Sequence, residues 1–326
     1  MALAKELTKM EAQSIGVSDV PSLEAAAVGK LREKVLKQGG LHVSLDCRNK
    51  ILAISEVELD ETILPLCSWL IGLVEAQGKA AGGRVLVGMV GAAAAGKSTL
   101  AQLVCAACDV LLGIDKWGQC VSMDGYSFSN SHLLAQPATD HLGNECTLKD
   151  IKGAPSTLDA KAFLRDLLCL RSSSRGAETI LLPAYSRVLH DPVPECVAVV
   201  PECRVVIVEG LHLLHVEDQW KKISNMFHRT VFLDIERSCC FERVVGRKVA
   251  NGRSRESSEA HFWRVDGPIF DQLQEEKKRA HVVLTVRPNG HQALLISNVE
   301  ARLTPITTKE NAETKASLSP LPLAES

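Results

Sequence analysis

Residues 91 to 98 read Gly-Ala-Ala-Ala-Ala-Gly-Lys-Ser, which fits the pattern G-x-x-x-x-G-K-[ST]. The glycines Gly91 and Gly96 let the backbone turn tightly, so that successive N–H groups can point at phosphate oxygens. In such a loop Lys97 reaches the β- and γ-phosphates of a nucleotide, and the Ser98 hydroxyl ligates Mg²⁺. Ala92, Ala93, Ala94 and Ala95 supply the cradle between the glycines, and Thr99 opens a helix whose positive end favours an anion. The flanks suit this chemistry, because the unbroken apolar run Val85 to Val90 suits a buried parallel strand and an apolar helix follows it.

Two carboxylates stand at comparable places. Asp124 follows the strand-like stretch Gly118 to Met123, and Glu209 ends the apolar run that starts at Cys203. Ligands of an open α/β sheet bind beyond the carboxyl ends of its strands, so both acids are expected beside the phosphate loop. There, one acid can hold Mg²⁺ and the other can take a proton from an attacking hydroxyl. The competing reading of Asp124-Gly125 and of Glu209-Gly210 is an ordinary acid-glycine turn. The basic residues Arg237, Arg243, Arg247, Lys248, Arg253 and Arg255 are either a solvated helix face or a lid over phosphate. Arg243 and Arg247 lie one helical turn apart and share a side. His212 and His215 have a spacing that permits metal ligation, but no second cluster completes a site, so packing or a substrate contact is expected. Cys105 and Cys108 have redox spacing but fall inside the helix after the loop, where core filling is expected.

The elements that must position these groups alternate along the chain. Helices are expected at Ser22 to Lys37, Leu59 to Gln77, after the phosphate loop, and from a capping box at Ser156 to about Arg171. Further helices are expected at Arg237 to Ala250 and Phe270 to Arg279. Strands are expected at Leu41 to Leu45, Val85 to Val90, Gly118 to Met123, Glu178 to Leu182 (ending at Pro183), Cys203 to Glu209, Arg229 to Ile235 and His281 to Val286. His291 to Ser297 is expected to pair beside the last of these. Alternation of this kind argues a mostly parallel sheet with helices on both faces.

Composition narrows the class. The 326 residues are 46% hydrophobic with a formal net charge of −2, enough for a sizeable core and without the basic excess that nucleic acid or anionic membrane would draw. The stretch Met1-Ala-Leu-Ala-Lys-Glu has no apolar signal segment, and no apolar run is long enough to span a bilayer. Eleven cysteines lack regular spacing, so a reduced, cytoplasmic protein is expected. Residues 1–55 form an extension expected to be mostly helical, serving either as a packing appendage or as a partner surface that leaves room for a homo-oligomer. The tail, residues 304–326, has no hydrophobic period and is expected to be disordered.

The ordered motifs GAAAAGKST (91–99), VSMDGYSFSN (121–130), KGAPSTLD (152–159), PAYSRVLHDPVPE (183–195), VVIVEGLHLL (205–214) and RVVGRKVANGRS (243–254) resemble the small-molecule kinases of the uridine kinase, phosphoribulokinase and type I pantothenate kinase superfamily. That resemblance covers about residues 59–287. It implies a P-loop NTPase-type three-layer α/β sandwich over 56–303, with a lid at about 237–264. It implies Asp124 as catalytic base, Glu209 in the Mg²⁺ network, and Lys152, Tyr185, Arg187 and His190 around the acceptor. It also implies Lys97 with Arg243 or Arg247 on the transferred phosphoryl group, and adenine near Arg287, Pro288 and Asn289. The segment KGAPSTLD is closer to the pantothenate kinase side than to uridine kinases, while the aromatic pocket expected for pantothenate is not evident. The expected function is ATP·Mg²⁺-dependent phosphorylation of a hydroxyl on a pantothenate-, nucleoside- or sugar-like metabolite. The alternative is a nucleotide-binding regulatory or assembly subunit that keeps the fold without turnover.

Overall fold

The computed structural model describes residues 23–45, 48–77, 83–172, 178–287 and 295–301. Helix α1 (Ala25–Gln38) stops where Gly39 takes a φ of 69° and returns its N–H to the Val35 carbonyl, the stop that Gln38-Gly-Gly implies. Its N-cap is Glu24, while Ser22 lies outside the described residues. Strand β1 (Leu41–Leu45) is as expected. It pairs antiparallel with an unanticipated β2 (Arg48–Leu52), whose polar residues carry no alternating signal. The next helical stretch begins at Glu56 rather than Leu59. The Ser55 hydroxyl accepts from the Glu58 N–H and the Glu58 carboxylate accepts from the Ser55 N–H, closing a capping box ahead of α2 (Leu64–Ala76).

Strand β3 (Val85–Gly91) is buried at every position and leads through the phosphate loop into α3 (Lys97–Leu112). Strand β4 (Gly118–Ser122) follows. The polar stretch after it holds α4 (Asn130–Ala135) and a small hairpin, β5 (Pro137–Thr139) with β6 (Glu145–Thr147). Helix α5 (Ala160–Ser172) starts later than the Ser156 capping box implies. Its Oδ1 acceptor for the Ala162 N–H, at 2.9 Å, is Asp159, and Pro155–Thr157 form a separate 3₁₀ turn. The acid of the motif is itself the cap. Strands β7 (Ile180–Ser186) and β8 (Asp191–Val199) form a second hairpin. Pro183 does not end β7, because an irregularity between Leu182 and Ala184 absorbs the donor that proline lacks.

Strand β9 (Val205–Gly210), helix α6 (Asp218–Ser224), strand β10 (Arg229–Ile235) and helix α7 (Arg237–Ala250) come next. Helix α8 (Arg255–His261), a π turn at Phe262–Asp266 and α9 (Gly267–Glu276) complete the helical run. The chain then enters β11 (Val282–Arg287) and β12 (Leu295–Ala301). The central sheet has the order β12-β11-β10-β3-β9-β4, with five parallel strands and β12 antiparallel at one edge. Helices cover both faces, as alternation predicts for a sheet whose middle strands are buried throughout. Cys105 and Cys108 are buried in this core, as expected. Pro288, Asn289 and the tail 304–326 lie outside the described residues. No helix among the described residues is long and apolar enough to cross a membrane.

Candidate active site

The phosphate loop is shaped by backbone demands. Gly91 has a φ of 154°, and a Cβ there would fall 2.7 Å from the Leu233 carbonyl oxygen of β10. Only glycine lets β3 and β10 pass so closely. Ala94 sits at a φ of 59°, a left-handed conformation that costs a non-glycine residue about 1 kcal/mol. Gly96 at a φ of 99° then caps α3, so the loop delivers unpaired N–H groups to a helix N-terminus.

Lys97 is buried to 9% exposure and donates from Nζ to the Ala92 carbonyl at 2.9 Å. Burial draws its ammonium below the usual lysine range, although Glu209 and Asp124 pull the other way. Ser98 Oγ donates to Glu209 Oε1 at 2.9 Å. Glu209 stands in register between Met89 of β3 and Ser122 of β4, on the strand that separates them. Its own burial, and then Asp124, push its carboxyl up, against Lys97 and the hydrogen bonds from Ser122 and Ser98.

Asp124 is the second residue of the 3₁₀ turn Met123–Tyr126, with its N–H bonded to Ser122 Oγ. The following glycine does not mark a hairpin. A Cβ on Gly125 would lie 2.5 Å from the Pro183 carbonyl oxygen, so the glycine clears the way for β7. Ser98, Asp124 and Glu209 come together on the lining of an open cleft of about 600 Å³. The β7–β8 hairpin forms one wall with Tyr185 and Arg187, and the β1–β2 hairpin forms the other with His42 and Asn49. The amino-terminal extension therefore lines the cleft, which its sequence does not announce.

Lys152 lies 4.8 Å over the Tyr185 ring and donates to Asn130 Oδ1 and to the His190 carbonyl. Half-burial and Lys149 bring its pKa down to about 8. Burial, with Asp124 and Asp191 nearby, pushes the Tyr185 phenol up to about 12. His190 is exposed, has a φ of 55°, and offers its backbone oxygen rather than its ring to this cluster. The residues missed from sequence are Ser122, Asn130, Lys149 and Asp191. Ser122 and Asn130 were inside the quoted motif VSMDGYSFSN, but the contacts that give them meaning come from β9 and from the β7–β8 turn.

The basic helix α7 faces the loop. The charge of Arg247 is felt at Lys97, and Cys240 Sγ reaches the Ala93 carbonyl at 3.3 Å. Arg243 is half-buried one turn earlier. Lys248 instead turns inward and pairs with Asp266 at 2.6 Å, where His261 Nδ1 also lies 3.2 Å from the carboxylate. Burial opposes ionisation of Asp266, yet His261 and Lys248 outweigh it and hold the carboxyl below its usual range. His212 is fully buried, donates Nε2–H to the Gly153 carbonyl at 2.7 Å, and packs edge-on to Trp220. His215 pairs with Glu276 at 2.8 Å. Both make contacts within the fold, and no metal-ligating cluster occurs among the described residues.

Comparison with known proteins follows this geometry. The model of the phosphoribulokinase / uridine kinase family matches residues 86–292. The uncharacterized protein YggC of Escherichia coli is 30% identical over 172 residues, or 53% of this chain, and the chain spans just under two thirds (65%) of that relative's length. A uridine kinase of Shewanella frigidimarina is 27% identical over 226 residues, covering 69% of this chain and 97% of its own. Among solved structures, a candidate fructose transport system kinase from Silicibacter is similar with a TM-score of 0.54 and 27% identity, over 64% of this chain and 94% of that one. YFH7 of Saccharomyces cerevisiae, at 17% identity and a TM-score of 0.54, covers 70% of this chain and 99% of its own, and supports the fold alone.

Proposed function

The chain belongs to the phosphoribulokinase / uridine kinase family, and on that premise we propose that it is a kinase that moves the γ-phosphoryl group of ATP to a hydroxyl of a small metabolite. The observation that carries this reading is the meeting of Ser98, Glu209 and Asp124 on the lining of a cleft roomy enough for an acceptor. In the reaction, the acceptor oxygen bonds to the γ-phosphorus as the bond from that phosphorus to the β,γ-bridging oxygen breaks. ADP leaves with the electron pair, and the hydroxyl proton goes to the Asp124 carboxylate.

Little covalent help is needed, so positioning and charge neutralisation dominate. Lys97 would leave the Ala92 carbonyl for the phosphates, and Arg247, or Arg243 one turn away, would meet charge growing on the transferred group. The donor set fits a divalent cation. A buried carboxylate pushed upward by burial and by a neighbouring acid, with a serine hydroxyl on it, is a place where a cation relieves an electrostatic cost. Ser98 and Glu209 would hold Mg²⁺, which supplies neutralisation of the phosphate oxygens.

Replacing the base tests the reading. Asp124→Asn is expected to lower acceptor-stimulated ADP release by roughly 10²–10⁴-fold while ATP binding, measured by calorimetry, persists. Wild-type turnover in that variant removes Asp124 from the base role. ATP binding with no stimulation by pantothenate, uridine, cytidine, glycerate or sugars favours a regulatory nucleotide-binding subunit instead.

A further inference from the structure

Next to Tyr185, whose ring lines the cleft, two lysines converge on one neutral atom. Lys149 and Lys152 both donate from Nζ to Asn130 Oδ1, the latter at 2.9 Å. Both residues are partly buried, and among the described residues neither ammonium forms an ion pair with a carboxylate. The nearest acid of this cluster, Asp191, spends Oδ1 on the Asn130 N–H at 2.8 Å. The remaining acid, Asp124, is the group proposed to take the acceptor's proton. Arg187, on the same hairpin as Tyr185, adds a third cation to the cleft wall.

Two ammoniums on a single amide oxygen repel each other. An incoming anion would relieve that repulsion through charge-assisted hydrogen bonds to both ammoniums. Tyr185 ties the pair to the cleft, since Lys152 sits over its ring and the same ring lines the space beside Asp124. Desolvation first, and then Lys149, bring the pKa of the Lys152 ammonium down to about 8, against the pull of Asp191 and Asp124.

We propose that the phosphoryl acceptor is an anion, a hydroxyl-bearing carboxylate or phosphate ester, whose negative group is received by Lys149 and Lys152. This deepens the kinase reading and rests on it. The hydroxyl then lies toward Asp124 and the negative group toward the α4 end of the site, with Tyr185 between. Asn130 is a positioning residue: it holds both ammoniums in place through one oxygen, and Asp191 holds Asn130.

Matched acceptor pairs that differ in charge test this. ADP release with ATP·Mg²⁺ is measured for glycerate against glycerol, pantothenate against pantothenol, and ribulose 5-phosphate against ribulose, with uridine as a further neutral acceptor. At least one anionic member is expected to exceed its neutral twin at least 30-fold in kcat/KM. The first two pairs report a carboxylate site and the third a phosphate site. K149M and K152M should each reduce that preference at least ten-fold through the acceptor KM, with ATP affinity unaltered by calorimetry, and K152R should restore much of it. Melting temperatures of the variants separate this from misfolding. Turnover of uridine or of a neutral twin at rates equal to the anions overturns the anionic site and leaves the kinase reading standing. A preference that survives both methionine variants also overturns it. Bound ATP with no stimulation by any acceptor overturns both.

Discussion

Asp124 and Glu209 are the same kind of group at the same kind of place, yet their surroundings differ. Glu209 lies within the sheet, bonded by Ser98 and pressed upward by burial, while Asp124 sits in a turn on the cleft wall. That difference is what divides the proposed metal and base roles between them. Buried histidines set a pH dependence of a different kind. Burial holds His212 neutral, with its pKa brought down from 6.5 to about 4, and burial together with Arg171 does the same to His228. Between pH 6.5 and about 4 the unfolded chain binds protons that the fold refuses, so stability present above pH 6.5 is lost as pH falls through that window. For the fully buried His212 the loss is on the order of 2–3 kcal/mol by pH 4. His215, raised by Glu276, works in the opposite sense. Thermal melts from pH 7 to 4.5 should show a steep fall, and His212→Gln, which keeps a donor for the Gly153 carbonyl, should make it shallower. An identical slope in that variant assigns the acid sensitivity elsewhere.

Among the elements, the run from α7 to the π turn, proposed as a lid, is tied by one polar knot. Lys248, His261 and Asp266 tie α7 to α8 and to the segment after it, while the buried Phe262 ring packs edge-on to Phe241 and Trp263. Removing one partner of this partly buried pair leaves the other charge uncompensated, which costs about 1–3 kcal/mol locally. Asp266→Ala is therefore expected to speed amide exchange across residues 237–266 and to lower kcat at least ten-fold, because Arg247 loses its placement. Unchanged exchange in that segment rules out the knot as the lid's fastener. The hairpins make the complementary point. The sequence announces β1 by alternation but not β2, and it stops β7 at a proline that the ladder in fact bridges.

At the scale of the whole molecule, the extension shares its core with the nucleotide-binding fold. Leu41 and Val43 of β1 are buried in one continuous cluster that includes Leu100, Val104 and Cys105 of α3. Leu41→Ala, at 1% exposure, should destabilise the protein by about 2–4 kcal/mol and shift the main denaturant transition. An unmoved main transition with a separate early one identifies the extension as an independent appendage. A shared transition agrees with the β1–β2 hairpin acting as a cleft wall, since a wall must be as rigid as the floor it stands on.

The sequence by itself determined the phosphate loop, the alternation of apolar strands and helices, and the two acids at strand ends. Each of these is local: a glycine spacing, a run of buried residues, or a carboxylate next to a turn carries its own physical requirement along a few positions. Tertiary structure alone decided which side chains meet. Asn130 gains its meaning from Lys149, Lys152 and the His190 carbonyl, and Gly125 from the passing backbone of Pro183. Those contacts join segments tens of residues apart, and no periodicity in either partner encodes the other. The phosphate loop is written in eight consecutive residues, whereas the cleft proposed to receive the acceptor exists only once two hairpins and the edge of the sheet come together.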